Sequence, residues 1–304
     1  MINNSEQILA GDIRQLLVIK SEELLRRGEP RFVEGLDEIA GMLGRYDPAP
    51  SPLLNALDHK AQDMATYFFV AYSNTRDLDR SILIYRTVKS LVRYVLLIDR
   101  FYEVGNKKYE RVARGVLRSV KKVQSSHLKY SLDFLLKRSW PFMDYEQAVK
   151  RLLIKDHIFN FKEIRHYSLF KASDAPMIYA HVLDAELPDF NQNVAAVLHY
   201  NQALQDLHDD FEDIEEDVHD MMPNMFILAA TGAAAITFSK LLKNREHARK
   251  MVIESGALDS MVPLVEQYRA MVKGISVPPS FAFLKYLTKE YADMMLRALD
   301  VSAR

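Results

Sequence analysis

The chain has 304 residues, 49% of them hydrophobic, and carries 40 lysines and arginines against 41 aspartates and glutamates, which is enough apolar material for one large core and leaves no basic surplus. With a formal net charge of −1 and no basic run interleaved with aromatics, nothing points to nucleic acid, and the lack of cysteine excludes disulfides, thiolate chemistry and Cys-ligated zinc. Gly and Pro are few, at 10 and 11, and apolar residues recur at helical spacing, so the expectation is an all-α, single domain over residues 1–304.

In chain order, the amino-terminal MINNSEQILAGDIRQ lacks the basic start and continuous apolar segment of a signal peptide, and the expected location is cytoplasmic. The pattern predicts helices over 5–27 and 31–45, a proline-rich turn DPAPSP at 47–52, and helices over 53–72 and 77–103. Further helices are predicted near 107–124, 126–138, 145–157, 159–169, 175–185, 190–220, 225–242, 247–255, 260–273 and 281–299. Asp144 with Gln147 reads as a capping box, and Ser173 and Asp189 as N-caps. The longest apolar run, Met225 to Phe238, contains Thr231, Gly232 and Thr237 and falls short of the roughly 20 residues a spanning helix needs, so it is expected to be a core helix and not an integral membrane segment.

The most informative stretch runs from Asn201 to Asn224, with six aspartates, three glutamates and no lysine or arginine. At about 100° per residue, Asp206, Asp209, Asp213, Asp217 and Asp220 share one stripe, while Ala203, Leu204, Leu207, Phe211, Ile214 and Val218 form another. Carboxylates at i, i+4 and i+8 repel one another by a few tenths of a kcal/mol per pair. A divalent cation would remove that repulsion, and hard oxygen ligands suit Mg²⁺, which takes one or two carboxylates and fills its shell with water and phosphate oxygens. Without a cation the same stripe is a solvated acidic face.

Asp209-Asp210-Phe211-Glu212-Asp213, with Asp217 four residues on, resembles the second aspartate-rich motif of the trans-isoprenyl diphosphate synthases and the second metal motifs of terpene cyclases and of squalene and phytoene synthases. These families share the class I isoprenoid synthase fold, and the resemblance implies an all-α helical bundle around a central cavity. A second acidic pair lies in RYVLLIDRFYE at 93–103, where Val92, Val95, Leu96, Asp99 and Glu103 share a helix face that the apolar pattern assigns to the interior. An unpaired buried carboxylate costs several kcal/mol, so acids on such a face need a partner, either a metal or an arginine from a neighbouring helix. This segment is similar to the family's first motif: Asp99 and Glu103 match its first and last acids, and Arg100 stands where the second Asp would be. The resemblance implies Mg²⁺ held by Asp99, Glu103, Asp209, Asp210, Asp213 and Asp217, with Asp99, Glu103, Asp209 and Asp213 as the catalytic acids.

Between the two motifs, FNFKEIRHYSLFKASDAP at 159–176 supplies Lys162, Arg165 and Lys171, cations able to meet diphosphate oxygens, although salt bridges are an equal use for each. Lys171-Ala172-Ser173 resembles the family's Lys-Thr element, Arg165 lies where terpene cyclases keep a diphosphate-sensing arginine, and Lys285-Tyr286 resembles their Arg-Tyr pair. The implied reaction is Mg²⁺-dependent ionisation of a linear allylic prenyl diphosphate and cyclisation of the cation in an apolar, aromatic pocket, giving a terpene hydrocarbon or alcohol. The resemblance also allows a homodimer. Elongating synthases carry an amino-terminal Gly-Gly-Lys-Arg and paired arginines after the first motif, and neither stands here, so chain-elongating or head-to-head prenyl transfer ranks second. Two Glu-x-x-His pairs, Glu163/His166 and Glu216/His219, offer with Glu103 a di-iron centre of the kind built in helical bundles. The remaining reading is non-catalytic: a prenyl synthase subunit, or a scaffold whose altered first motif has lost its chemistry.

Overall fold

The computed structural model describes residues 32–46, 61–62, 65–70, 78–123, 144–173, 191–233 and 236–303. The helices expected over 5–27, 126–138 and 175–185, the DPAPSP turn and Asp189 lie outside the described residues. Within them all regular structure is helical, without a strand, as the apolar spacing predicts. Chain contacts gather into two compact units, residues 1–130 with 278–286 and residues 131–277 with 287–304.

The first unit contains α1 (Phe32–Tyr46), helical residues 61–62 and 65–70, α2 (Leu78–Val104) and α3 (Lys107–Val123). Helix α2 ends where Gly105 adopts φ +69, a left-handed conformation cheap only for glycine, and donates its N–H to the Phe101 carbonyl at 2.8 Å. Asn106 then opens α3 by accepting the Lys108 N–H at 2.9 Å. The two helices pack through Leu97 and Ala113, flanked by Tyr94, Ile98, Tyr109, Val112 and Val116. Helix α3 docks on the Tyr94, Leu97 and Ile98 side of α2, and Val92, Val95 and Leu96, expected to face the interior, are half-buried.

The second unit contains a helix over 144–154 (α4), α5 (Phe161–Lys171), α6 (Gln192–Glu212), α7 (Ile214–Asp220), α8 (Met225–Ala233), α9 (Phe238–Lys243), α10 (Ala248–Glu254) and α11 (Ala257–Gly274). The last helix, α12, spans Ala282–Ala303. Every residue from Met225 to Ala230 is buried, which makes α8 the core helix that its all-round apolar sequence predicts. It packs against α5, α6 and α11. Ala203, Leu204, Leu207, Phe211, Ile214 and Val218 are buried too, so the apolar stripe read from the sequence is the buried face of α6 and α7. Among the described residues no helix is long and apolar enough to cross a membrane.

Two helices expected to be continuous are divided. The one over 190–220 starts at Asn191, whose side chain accepts the Asn193 and Val194 N–H groups, and bends at Asp213, with φ −95 and ψ 11. Hydrogen bonds from Asp213 N–H to the Asp209 carbonyl (2.9 Å) and from Asp217 N–H to the Asp213 carbonyl (2.8 Å) persist through the bend, so the helical register of the acids is kept. The one over 225–242 separates into α8 and α9. Thr237 starts α9 by accepting the Lys240 N–H at 3.2 Å, and Gly232 near the end of α8 lies so close to the Phe159 carbonyl that a Cβ would stand 2.0 Å from its oxygen.

Candidate functional site

The site is built where the last turns of α6, the short helix α7 and the start of α8 meet the end of α5. Asp210 falls between the buried Leu207 and Phe211 and is therefore carried into the core, 3% exposed, apart from the stripe of Asp209, Asp213 and Asp217. Its Oδ1 accepts from the Lys171 ammonium at 2.8 Å and its Oδ2 from the Met225 N–H at 2.7 Å. Both oxygens are thus engaged by protein donors, and Lys171, expected to meet diphosphate, meets this aspartate. Burial works to lower the Lys171 ammonium, but the charges of Asp210, Tyr167, Asp206 and Glu146 outweigh it and hold Lys171 well above its ordinary value. Burial pushes the Asp210 carboxyl up and Lys171 pulls it back. With one oxygen on an ammonium and the other on a backbone N–H, the ion pair is the state the geometry supports.

Asn224 completes this arrangement, and its signal is an asparagine directly before an apolar helix. Fully buried, it caps α8 by accepting the Phe226 N–H at 2.9 Å and the Ile227 N–H at 3.3 Å. Its amide nitrogen donates to the Asp210 carbonyl and, at 2.8 Å, to Asp217 Oδ2. Desolvation, followed by the like charge of Asp210, raises the Asp217 carboxyl to about 7 despite that donated bond. Tyr167, also unforeseen, donates its hydroxyl to the Pro223 carbonyl at 3.1 Å and to Glu146 at 3.4 Å, which ties α5 to the turn before α8.

Along the acidic stripe, Asp206, Asp209 and Asp217 are half-buried, while Asp213 and Asp220 are exposed. The Gln202 side chain donates to Asp206 at 2.7 Å. At the end of α6, Arg249 stacks its guanidinium 4.6 Å from the Phe211 ring centre and donates to the Glu212 carbonyl at 3.4 Å. Of the other expected diphosphate ligands, Lys162 is exposed on α5 and Arg165 is half-buried, its charge felt by the Tyr268 hydroxyl. Lys285 is half-buried and Tyr286 exposed near the start of α12. Asp99 and Glu103 lie one turn apart on α2; their side chains lie outside the description.

The donor chemistry here fits Mg²⁺. Asp209, Asp213 and Asp217 carry hard carboxylate oxygens at successive turns, and among the described residues Asp217 accepts through Oδ2. Among the described residues no three Asp, Glu or His side chains gather as one ligand set, so a cation on this stripe would draw its other ligands from water and phosphate. The Glu-x-x-His pairs are used otherwise. Glu163 forms a capping box with Asn160 and lies 3.2 Å from His157. His166 stacks on Tyr145, and His219 sits 2.7 Å from Asp220. Compared with known proteins, the chain matches no family model, no curated protein and no solved structure.

Proposed function

We propose that this chain is a class I terpene synthase that ionises a linear allylic prenyl diphosphate with Mg²⁺ and releases diphosphate, giving a terpene hydrocarbon or alcohol. The observation that carries the reading is the acidic stripe: Asp209, Asp213 and Asp217 stay in helical register through the bend at Asp213, which sets three hard carboxylates at successive turns, where a divalent cation would offset their mutual repulsion. In this reading the stripe of Asp209, Asp213 and Asp217 supplies one or two carboxylates to each Mg²⁺, water and phosphate completing its shell, and Asp99 and Glu103 keep the metal-ligand role that the resemblance implies. Asp210 is better used as the partner that fixes Lys171. Bound Mg²⁺ would supply stabilisation of the negative charge that develops on the departing diphosphate.

The chain's own residues do the rest. Arg165 and Lys162 donate to phosphate oxygens, with Lys285 and Tyr286 as the further diphosphate ligands that the resemblance implies. Lys171, held by Asp210, fixes the acidic helix against α5 and adds positive charge beside the stripe. As the allylic carbon–oxygen bond breaks, its electron pair leaves with the diphosphate, and the cation is quenched within the chain's apolar interior by proton loss or by water. The test is incubation with geranyl, farnesyl, geranylgeranyl and geranylfarnesyl diphosphates plus Mg²⁺, with and without isopentenyl diphosphate, followed by product mass analysis. Diphosphate release from a single allylic substrate, unaffected by isopentenyl diphosphate, is expected. Products lengthened by five-carbon units would move the protein to the elongating synthases, and no Mg²⁺-dependent release would refute an enzymatic reading of the stripe.

A further inference from the structure

We infer that Asn224 is a positioning residue for the metal-holding carboxylate of Asp217, a role that rests on the proposed function above. Its side chain uses both ends at once. The carbonyl oxygen is fixed by two backbone N–H groups at the start of α8, Phe226 at 2.9 Å and Ile227 at 3.3 Å. With that end anchored, the amide nitrogen has one direction left to point, and there it donates to the Asp210 carbonyl and to Asp217 Oδ2 at 2.8 Å. The first of those bonds belongs to α6 and the second to α7, on either side of the bend at Asp213. One buried amide therefore spans the break in the acidic helix.

A carboxylate held by one oxygen presents the other in a fixed direction, which is how outer-shell hydrogen bonds orient metal ligands. Asparagine fits this place because both an acceptor and a donor are needed. Serine or aspartate would cap α8 equally well, yet neither supplies the amide donor. A purely structural role predicts that a good cap in place of asparagine changes stability and leaves Mg²⁺ binding as it was; the positioning role predicts that Mg²⁺ binding weakens.

The experiment titrates the full chain with Mg²⁺ in the presence of inorganic diphosphate, by isothermal calorimetry, and records helical circular dichroism and Tm for each variant. Asn224→Ser keeps a cap and replaces the amide donor with a shorter hydroxyl, and it is expected to weaken Mg²⁺-dependent binding roughly ten- to a hundredfold with its helical spectrum intact. Should the serine variant not fold, Asn224→Asp keeps the length and the cap while turning a like charge on Asp217, with the same loss expected. Gly232→Ala serves as the control, since it strains α8 away from the acids and is expected to lower Tm with Mg²⁺ affinity unchanged. Wild-type affinity in a folded Asn224 variant would overturn the positioning role alone. Absence of Mg²⁺-dependent diphosphate binding by the wild type would overturn the proposed function, and this inference with it.

Discussion

Lys171 Nζ lies 2.8 Å from Asp210 Oδ1, an ion pair between residues 39 positions apart that fastens the end of α5 to the acidic segment of α6. The aspartate is 3% exposed on its side chain and the lysine 31%, so the pair is dry on one side and open on the other. Losing one partner of such a pair costs more than the pair itself contributes, because the charge left behind is desolvated and unpaired.

Lys171→Met should therefore destabilise the protein by about 3 kcal/mol, the low end for a broken buried pair, given the partial exposure of the lysine. Adding Asp210→Asn to it should restore part of the loss, since the remaining group is neutral. Urea denaturation of both variants checks this, and a Lys171→Met protein as stable as the parent would contradict it.

Asp217 sets a pH dependence. The unfolded chain releases this proton near 3.8, whereas the folded protein holds it to about 7. Between those values the folded state binds more protons, so its stability falls as pH rises through the window. Asp217→Asn removes the effect, and its advantage in stability should grow from near zero at about pH 4 to on the order of 2–4 kcal/mol at about pH 8. Thermal melts across that range would show a constant difference if the carboxyl were not raised.

Removing charge from the stripe separates catalysis from folding. Asp209→Asn and Asp213→Asn should each lower Mg²⁺-dependent diphosphate release by more than about 100-fold, since even outer-shell partners of a metal cost roughly that much. Tm should hold or rise slightly as like-charge repulsion is relieved. Measured together, unfolding of either variant would make the stripe structural.

Gly232→Ala meets a backbone atom that cannot swing aside. The new Cβ would stand 2.0 Å from the Phe159 carbonyl oxygen, so α8 or the 155–160 connection must shift. Gly232 is exposed, so the strain comes from this one backbone contact, and a loss of about 1–3 kcal/mol is expected, read as a lower urea midpoint. Parent-like stability would mean that the two backbones are not so close.

The sequence by itself determined the helical class, most helix positions among the described residues, and which face of α6 and α7 is buried, the last because it follows from 3.6-residue periodicity in Leu204, Leu207, Phe211, Ile214 and Val218. It also showed that α8 belongs inside, since a helix apolar on all sides has no face for water. The acidic stripe was legible for the same reason of spacing. What periodicity cannot carry is a partner brought from elsewhere in the chain. No cation lies within the Asn201 to Asn224 stretch, yet Lys171 reaches Asp210 and Arg249 reaches Glu212, and both arrivals depend on how α5 and α10 pack. The division of the long helix at Asp213 is likewise a tertiary event: Asn224 holds Asp210 and Asp217 from the start of another helix, and only packing places that amide there. Local spacing fixed where the carboxylates point around the helix axis, and the surrounding helices decided that Asp210 is engaged by Lys171 and the Met225 N–H and that Asp217 accepts from Asn224.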